Sequence, residues 1–541
     1  MRLDARSTLA CYLLLLVGYV GGALVPLMNN DSAHHAGIAL HMYLSGDWLQ
    51  LVTQGQDYLD KPHLLFWLAA ASFKVFGVTT FAYKLPSLLF SVLAVYSTTQ
   101  LGRLLHSAEV GRLAGLILAS ALAFVIANND VRMDALLTGA IIFSIWQLAE
   151  FVAGGRWRNL LLAGLGLALG FATKGMIGVA MPGIAIFLHL LYRRDWGRLF
   201  DPRWLALPLI VLAFASPVLF AYHHQFGVDG VKFILWSQNF ERLAGERFGN
   251  AGAEDPFFFF HTFLWAFLPW SLLTLWALVV HGGRVIGGGL RLQAGEEVLS
   301  FGTIVVLFAI ISSSQFKLPH YLNILLPLFS ILLAGWLAPR IERPATRALW
   351  IVQGAAIALL VVLAVAINGW AFPLRSPGVA AGAITLAVVG LVLMRRRQGG
   401  ARVVVASVAA AAVFNFLLNL NFYPQLLGYQ AGNMLGEAVE RLGVEPDSVY
   451  YLEGMGRAGS FDFTTARLTP TLSVDALRSM SGTVVIYTSD RGREAVEASG
   501  LRTEILATNP DFRVTRLNAR FLDPAKRPAT LTPYFLLKVG P

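Results

Sequence analysis

Long apolar runs recur along this 541-residue chain, separated by short polar breaks. Each run is close to the ~20 residues that an α-helix needs to cross the hydrocarbon core of a bilayer. The composition agrees, because 56% of the residues are hydrophobic and 14% are charged, whereas soluble domains carry about 25% charged residues. The pattern predicts an α-helical polytopic membrane protein with about thirteen transmembrane helices, near residues 8–28, 83–103, 113–128, 133–152, 158–173, 175–192, 204–222, 257–280, 298–314, 318–338, 347–371, 378–394 and 403–420.

The net charge of the chain is +10, which in a soluble protein would suggest a nucleic-acid partner. Here most of the basic residues lie in short loops between apolar runs, so membrane topology explains them and no nucleic-acid partner is predicted. The single cysteine, Cys11, excludes an intramolecular disulfide and a cysteine-based metal site. It lies in the first apolar run, which is longer than the ~7–15-residue core of a signal peptide and is predicted to be an uncleaved span.

The apolar stretch 62–80 decides the topology. If it lies at the membrane surface and the N-terminus is cytoplasmic, arginine clusters such as Arg193–Arg194 and Arg395–Arg397 face the cytoplasm, as the positive-inside rule requires. If it spanned the membrane, every later arginine-rich loop would face outward. The charge distribution therefore predicts a surface helix at 62–80 and two long outer loops, 29–82 and 223–256.

The segment after residue 420 is less apolar and changes pattern. Residues 433–442 have the spacing of an amphipathic helix on Leu435, Val439 and Leu442, closed by Gly443. Strands are predicted at Val449–Leu452 and Thr483–Thr488, and a helix at Arg491–Ala498 that ends at Gly500. We therefore expect a membrane domain at 1–420 and a small extracytoplasmic α/β domain at 421–541.

Polar residues gather at five places that this topology puts on the outer side. Charged groups cost about 2.5–3.5 kcal/mol at the centre of a membrane helix, and their grouping near the ends of spans still needs a reason. The five places are Asn29-Asn30-Asp31; Tyr58-Leu59-Asp60-Lys61-Pro62; Asn128 through Asp134; the second long loop with His223, His224, Asn239, Arg242, Arg247 and His261; and Ser312 through Tyr321, which includes Lys317.

The first three places have both a structural and a functional interpretation. Asp31 and Asp134 can be helix caps or turn residues, or they can act on a substrate. Tyr58 and Lys61 can anchor the chain at the headgroup layer. Pro62 suits a helix N-terminus, and Lys61 beside such a terminus would make an anion site.

The other two places carry candidate cations. Arg242 and Arg247 can clamp a phosphate group through paired hydrogen bonds, or bind lipid headgroups. If Pro319 opens the next helix, Lys317 and Tyr321 lie one helical turn apart on the same face. Otherwise these two residues serve as interfacial anchors.

The sequence requires no cofactor. It contains neither a P-loop nor a glycine-rich loop between a strand and a helix, so a nucleotide donor is not indicated. A divalent metal is compatible with the residues, although no tight ligand spacing is present. Its weak candidate ligands are Asp60, His223, His224 and His261. What remains is chemistry that pairs carboxylates with a cationic phosphate clamp at a membrane surface.

Together these segments resemble the polyprenyl-phosphate-sugar glycosyltransferases of the GT-C architecture, which are related to protein mannosyltransferases. The bacterial lipid A aminoarabinose transferases are the most similar branch. Two positions depart from the pattern, because Ser32 and Asp60 stand where relatives usually carry Glu. The matching residues are collinear: Asp31, Ser45-Gly46-Asp47-Trp48, Tyr58-x-x-Lys61-Pro62, Asp134, Thr173-Lys174-Gly175, Asn239-x-x-Arg242, Leu268-Pro269-Trp270 and Lys317-Leu318-Pro319-x-Tyr321.

The resemblance implies an inverting glycosyltransferase of the bacterial inner membrane that moves a sugar from undecaprenyl phosphate to an acceptor. In the most similar branch the sugar is aminoarabinose and the acceptor is a lipid A phosphate. The N-terminus would be cytoplasmic and the C-terminal domain periplasmic. Asp31 and Asp134 would be catalytic, and the residues that bind the lipid phosphate and the sugar would be Tyr58, Lys61, Arg242, Arg247, Lys317 and Tyr321.

Three alternatives stay open on sequence alone. The same donor chemistry can serve a protein or glycan acceptor. A transporter or flippase for an anionic lipid or solute would need charged groups at mid-depth and broken helices, whereas the charges here gather at one face. In a non-catalytic envelope assembly protein, the convergence of polar residues would be accidental.

Overall fold

The computed structural model describes residues 4–237, 254–289, 297–341, 344 and 346–540. A helical bundle comes first, and a small α/β domain follows it. The α-helices of the bundle and its outer segments are Ala5–Leu24, Asp31–Ser45, Leu64–Phe76, Thr80–Leu105, Ala108–Ser120, Leu122–Asn129, Asp134–Gly154, Trp157–Lys174, Ile177–Arg193, Trp196–Leu199, Ala206–Lys232, Phe258–Ala266, Ser271–Gly287, Val298–Ser313, Leu326–Ile341, Arg347–Val365, Pro377–Arg395, Gly399–Leu417 and Tyr423–Leu427.

The predicted multi-pass architecture is confirmed, but the count of thirteen spans is not. Eight helices in the described part of the chain are long and apolar enough to cross a membrane. The bent pair Ala108–Ser120 and Leu122–Asn129, with 54° between its halves, raises the number to nine. The other predicted spans coincide with helices that are shorter or more polar, such as Ile177–Arg193 and Val298–Ser313.

Burial divides these helices into central and peripheral ones. The central helix Asp134–Gly154 packs against the helices on both sides of it in sequence, and most of its side chains are buried. The helices Arg347–Val365 and Pro377–Arg395 expose large apolar residues such as Val362 and Ile384. Apolar side chains that remain exposed on long helices are those that lipid covers in a membrane protein.

The first outer segment contains two helices and a hairpin. Asp31–Ser45 is followed by β1 (Val52–Thr53) and β2 (Gln56–Asp57), which pair antiparallel, and then by Leu64–Phe76. The last helix has 13 residues, about 20 Å at 1.5 Å per residue, which is too short for a ~30 Å bilayer core. It fits the predicted surface helix, although it begins at Leu64 and not at Pro62.

The second outer segment differs from the predicted loop 223–256. The helix Ala206–Lys232 runs ten residues past position 222, with a kink at Gly227, whose φ is +64°. A π-helical turn, Phe233–Ser237, follows it. The extension has a physical reason: the amide of Gln225 donates to the carbonyl oxygen of Leu51 and to the Asp57 carboxylate, so it packs against the hairpin of the first outer segment.

A buried cation fixes the end of the first helix. The Nζ atom of Lys84, on the helix Thr80–Leu105, donates to the carbonyl oxygens of Gly22 (2.9 Å) and Val25 (2.7 Å). These carbonyls lie at the C-terminus of Ala5–Leu24, where a helix leaves its last acceptors without partners. A positive charge is favourable at this end of the helix dipole. Lys84 therefore sets where the chain leaves the bundle toward Asp31.

The C-terminal domain is built on a five-stranded mixed sheet. Its strands are β3 (Val449–Leu452), β4 (Thr471–Leu472), β5 (Val484–Ser489), β6 (Arg502–Asp511) and β7 (Thr532–Gly540), in the order β4-β3-β5-β7-β6. β3 pairs parallel with β4 and β5, and β7 pairs antiparallel with β5 and β6. The helices of the domain are Ala431–Arg441, Gly459–Thr464, Val474–Ser479, Asp490–Ala498 and Ala519–Leu522.

The four elements predicted for this domain are present within two residues at each end. The predicted apolar face of the first helix needs one correction, because Leu435 and Val439 are buried but Leu442 is 47% exposed. The helix ends at Arg441, and Leu442, the residue after it, does not belong to the buried face. The strands β4, β6 and β7 were not predicted; β4 has only two residues, and β6 contains Pro510, which is unfavourable within a strand.

Candidate active site

Asp31 and Asp134 each begin a helix, yet neither carboxylate caps it. The side chain of Asn30 accepts from the backbone N–H of Ser32 and is the N-cap of Asp31–Ser45. The helix Asp134–Gly154 has Met133 at its N-cap position, with no side-chain hydrogen bond there. The capping interpretation is therefore wrong for both acids, and both carboxylates are directed to cations instead.

Arg132 joins the first outer segment to the turn between Asn129 and Asp134. Its Nη1 atom donates to Asp31 Oδ2 at 2.9 Å. Its Nε and Nη2 atoms donate to Asp130 Oδ2 at 3.1 and 2.9 Å. Asn30 Nδ2 donates to the same Asp130 oxygen at 3.1 Å. One guanidinium thus joins two segments that lie about a hundred residues apart in sequence, because its nitrogens can donate to two carboxylates at once.

The electrostatic balance at Arg132 favours its charged form. Burial lowers the pKa of its guanidinium, but the carboxylates of Asp130, Asp31 and Asp134 outweigh this effect and raise the pKa. The side chain of Asp31 stays 58% exposed despite its ion pair with Arg132. Asp31 is therefore held in place from one side and accessible from the other.

Asp134 is the buried acid of the site. Its Oδ1 atom lies 3.2 Å from Lys174 Nζ, and its Oδ2 atom lies 4.0 Å from His320 Nε2. The side chain of Asp134 is 5% exposed. Lys174 also lies over the ring of Tyr321, with 4.6 Å between Nζ and the ring centroid, a cation–π arrangement. Through these contacts Asp134 connects the segments of Lys174 and His320 to the turn that carries Arg132.

Local structure explains the position of Lys174. It is the last residue of Trp157–Lys174, and Gly175 follows with a φ of +70°. That conformation favours glycine and turns the chain sharply after the helix. The motif Thr173-Lys174-Gly175 is therefore a helix end that presents a lysine to Asp134.

Tyr58 and Lys61 lie in the short segment between the hairpin and the helix Leu64–Phe76. The Nζ atom of Lys61 contacts the Asp60 carboxylate, and Lys61 as a whole is buried. The hydroxyl of Tyr58 lies 3.5 Å from His35 Nε2. Tyr222 on the long helix donates to the carbonyl oxygen of Leu59 at 3.1 Å, which fixes the backbone between Tyr58 and Lys61.

Lys317 and Tyr321 do not share a helical face, so that prediction is wrong. Leu318 is extended, with φ −130° and ψ 142°, and the 3₁₀-helix Pro319–Leu325 begins after it. Lys317 therefore precedes the helix. Its Nζ atom donates to the carbonyl oxygen of Asp255 at 2.9 Å, while Tyr321 contacts Lys174.

The weak metal candidates do not assemble in the part of the chain that the structure describes. No group of three or more His, Cys, Asp or Glu with metal-binding geometry occurs there. His223 and His224 are exposed on the helix Ala206–Lys232, and His261 pairs with Asp255 at 3.4 Å. Asn239, Arg242 and Arg247 lie outside the described residues, so their roles stay predictions.

Sequence reasoning singled out Asp31 and Asp134 but missed the groups that bind them. These are Arg132, Lys174 and His320, with Asp130 as a second acceptor of Arg132. A signal existed for each of the three basic residues, because Arg132 shares the turn with Asp134, Lys174 is the centre of a motif, and His320 is the variable position of another. The pairing itself is a long-range contact that no local pattern encodes.

Comparison with known proteins shows which families and structures this chain is similar to. Residues 60–220 match the family described as dolichyl-phosphate-mannose-protein mannosyltransferase. The undecaprenyl phosphate-α-4-amino-4-deoxy-L-arabinose arabinosyl transferase of Edwardsiella ictaluri is 30% identical over 322 residues, which cover 57% of this chain and 55% of that protein. The enzyme of the same name from Pseudomonas aeruginosa is 30% identical over 330 residues, 58% of this chain and 57% of that protein. The matched region thus spans about half the length of these relatives.

The fold match extends over nearly the whole chain. The crystal structure of ArnT from Cupriavidus metallidurans bound to undecaprenyl phosphate superposes with a TM-score of 0.74 at 18% identity, covering 97% of this chain and 96% of that one. The apo structure of the same protein gives a TM-score of 0.73. The chain therefore has the fold of ArnT, and its residues 60–220 are similar to the mannosyltransferase family.

Proposed function

We propose that this protein is a membrane glycosyltransferase that moves 4-amino-4-deoxy-L-arabinose from undecaprenyl phosphate to a phosphate group of lipid A. The names of the relatives supply the donor, and the resemblance set out from the sequence supplies the acceptor. The observation that carries the proposal is the Asp31–Arg132 ion pair. It holds an accessible carboxylate beside the buried pair Asp134–Lys174, an arrangement suited to a charged substrate at the end of a helical bundle.

The reaction would be a single displacement at the anomeric carbon. A phosphate oxygen of the acceptor attacks that carbon, and the bond to the carrier phosphate breaks. The bonding electrons leave with undecaprenyl phosphate, and the configuration inverts. The free energy of the transition state is lowered where fixed cations meet the developing charge, which is often the largest catalytic contribution. Lys61 and Arg242 would meet the leaving phosphate, with Arg247 and Lys317 as further candidates.

The acids would position the reactants. Asp31 would orient the acceptor, or act as general base if the acceptor is a hydroxyl group. Asp134 would hold Lys174 and His320 toward the sugar, and Tyr58 and Tyr321 would hydrogen-bond the sugar or the phosphate. No nucleotide or redox cofactor takes part in this scheme.

The proposed location is the bacterial inner membrane, with residues 1–420 as the catalytic membrane domain. The N-terminus would be cytoplasmic. Residues 421–541 would form a periplasmic domain, on the same side as Asp31 and Arg132. The positive-inside distribution of arginines supports this orientation. Cysteine labelling with a membrane-impermeant reagent tests this orientation. The variant has Cys11 replaced by Ser and a single cysteine in place of the exposed Arg520. In cells whose outer membrane is permeabilised and whose inner membrane is intact, absence of labelling would contradict the orientation.

The proposed reaction is tested with purified protein in nanodiscs. The protein is incubated with undecaprenyl-phosphate aminoarabinose and lipid A, and mass spectrometry follows released undecaprenyl phosphate and modified lipid A. Both products are expected. Release of undecaprenyl phosphate only with a peptide or glycan acceptor would keep the enzyme class and replace the acceptor. Absence of release with every acceptor would overturn the proposal.

A further inference from the structure

A polar cavity of about 520 Å³ lies between the C-terminal domain and the first outer segment. Its walls come from the helix Asp31–Ser45, the hairpin and the residues that connect β3 to β4. The size falls within the ~300–1,000 Å³ of ligand pockets. The polar lining of the cavity includes the side chains of Asn30, His34, His41, Thr53, Arg457 and Asp462.

This cavity adjoins the candidate active site. Asn30 lines it and donates to Asp130 Oδ2, the oxygen that also binds Arg132. His34 lines it one helical turn after Asn30, and its ring centroid is 5.2 Å from that of Tyr58. A ligand in the cavity would therefore lie between the carboxylate cluster on one side and the Tyr58 segment on the other.

The C-terminal domain contributes one cation and one carboxylate to the lining. Arg457 Nη2 donates to the carbonyl oxygen of Thr469 at 2.7 Å and lies 3.8 Å from Asp462 Oδ2. Its Nε atom has no hydrogen-bond partner among the described residues. Asp462 Oδ1 accepts from the Tyr451 hydroxyl and from the backbone N–H of Thr469, so Oδ2, which faces Arg457 at 3.8 Å, is the oxygen that can accept from a ligand beside that arginine.

The lining suits a ligand with many hydroxyl groups better than a simple anion. The charges of Arg457 and Asp462 offset each other. Burial lowers the pKa of His34 and of His41, so both imidazoles are neutral near pH 7 and each offers one donor and one acceptor. The lining therefore offers both donors and acceptors and carries little net charge. Such a lining can donate hydrogen bonds to sugar hydroxyls and accept hydrogen bonds from them.

We propose that this cavity binds the saccharide headgroup of the acceptor, with Arg457 donating to its hydroxyl groups and Asp462 accepting from them. The proposal rests on the glycosyltransferase function proposed above and deepens it. The saccharide would sit against the helix Asp31–Ser45, and its reacting phosphate would extend past Asn30 toward Arg132. The C-terminal domain would thereby select the acceptor, while the membrane domain binds the carrier lipid.

Gly37 offers a way to fill the cavity without disturbing the fold. It lines the cavity on the helix Asp31–Ser45, and a Cβ atom at this position would meet nothing within 4 Å. Replacing a mid-helix glycine also favours the helix. Gly183→Leu is the matched control, because Gly183 is an exposed helical glycine whose Cβ would likewise meet nothing within 4 Å. Arg457→Gln tests the same cavity from the opposite wall.

The test measures two bindings to the full-length protein in nanodiscs by calorimetry. One probe is deacylated lipid A, a phosphorylated glucosamine disaccharide, and the other is undecaprenyl phosphate. Gly37→Leu and Arg457→Gln are expected to weaken disaccharide binding at least tenfold and to change undecaprenyl phosphate binding less than twofold. Gly183→Leu should leave both unchanged.

Three results would overturn the inference: no disaccharide binding by the wild-type protein, wild-type disaccharide affinity in Gly37→Leu, or an equal loss of both bindings in that variant. These results are separable from the fate of the proposed function. A wild-type protein that transfers no sugar, but binds the disaccharide in a way that Gly37→Leu abolishes, would refute the reaction and keep the saccharide site. Normal transfer by Gly37→Leu with an unchanged KM for lipid A would keep the reaction and refute the saccharide site.

Discussion

Arg132 shows how a few side chains convert scattered polar motifs into one site. It bonds to Asp31 and Asp130 through separate nitrogens, which a planar guanidinium can do and an ammonium cannot do with fixed geometry. Asp134 has an equivalent role for Lys174 and His320. The two acids thus differ in environment, one exposed and one buried, and the difference indicates different roles in the reaction.

Replacing the exposed acid separates its chemical role from its structural one. Asp31→Asn should lower the transfer rate at least a hundredfold, because it removes the charge that faces the substrate. The melting temperature should barely change, since ion pairs with an exposed partner contribute about 0–1 kcal/mol. Transfer assays and thermal unfolding in the same detergent check both expectations. Asp229→Asn, an acid of the helix Ala206–Lys232 whose side chain is 93% exposed, is the control, and a wild-type rate in Asp31→Asn would refute the assignment.

A lysine substitution separates the geometry of the Arg132 guanidinium from its positive charge. Arg132→Lys keeps the positive charge but loses the rigid fork of nitrogens that bonds Asp31 and Asp130 separately. We expect at least a tenfold loss of kcat with little change in the affinity for undecaprenyl phosphate. Kinetics and lipid binding on the same preparation measure the two quantities. If Arg132→Lys had the wild-type kcat, the bridging geometry would have no part in the reaction.

A buried histidine makes the first outer segment sensitive to acid. Burial lowers the pKa of His63 from its ordinary value of 6.5 to about 4, against a smaller opposite effect of its hydrogen bond with the carbonyl oxygen of Leu49. The unfolded chain therefore binds a proton before the folded one does. The free energy of unfolding should fall as the pH drops from about 6.5 to about 4, by up to about 3 kcal/mol.

His63→Gln tests this acid sensitivity. Its amide can still donate to Leu49, but it does not titrate. The difference in melting temperature between pH 7 and pH 5 should be smaller in the variant than in the wild-type protein. His224→Gln is the control, because His224 is exposed on the helix surface. An equal difference in His63→Gln and the wild-type protein would show that other groups cause the acid sensitivity.

Among the structural elements, those with strong local patterns were predictable and those shaped by distant contacts were not. Apolar runs located the helices because a membrane span must be both long and apolar. Gly443 and Gly500 located two helix ends, and both have positive φ. The polar break at Lys317 led to a wrong prediction of a shared helical face, because the extended residue Leu318 separates Lys317 from the helix. The helical extension past position 222 depends on Gln225 contacting the hairpin, which lies about 170 residues away in sequence.

The end of the first helix depends on one cation from its neighbour. Lys84→Met keeps the volume of the side chain but leaves the carbonyl of Val25 without the lysine donor and the carbonyl of Gly22 with only the backbone N–H of Val25. A buried acceptor left unpaired costs about 1–3 kcal/mol, so the melting temperature should fall by several degrees. Transfer should fall as well, because Asp31 follows this helix end. Lys74→Met, which replaces an exposed lysine, is the comparison, and equal melting temperatures in the two variants would contradict this role.

At the scale of the whole molecule, the C-terminal domain contacts the segment that leads to Asp31. Gln430 accepts from the backbone N–H of Asn29 at 2.6 Å and donates to the carbonyl oxygen of Leu27 at 3.0 Å. Asn433 donates to the same carbonyl. These bonds join segments about 400 residues apart, so no local pattern could reveal them. The sequence predicted that the C-terminal domain and the first outer loop lie on the same side of the membrane, but not that this domain holds the segment that leads to Asp31.

One arginine anchors this domain to the bundle, and its removal tests the coupling. Arg527 is buried, donates to the carbonyl oxygens of Ala371 (2.6 Å) and Phe521 (2.9 Å), and lies over the ring of Phe372 at 4.3 Å. Arg527→Met removes these hydrogen bonds and the cation–π contact, and we expect a loss of about 2–3 kcal/mol in the local stability of the interface.

Hydrogen exchange and transfer kinetics measure the consequence of this change. In Arg527→Met, backbone amides at 423–430 and 519–531 should exchange faster than in the wild-type protein, and the KM for the acceptor should rise several-fold. Arg520→Met, which replaces an exposed arginine a short distance earlier, should match the wild-type protein in both. Faster exchange with unchanged kinetics would show that the domain is only attached to the site. Because Gln430 lies within the loosened segment and binds the backbone of Asn29, we expect exchange and kinetics to change together.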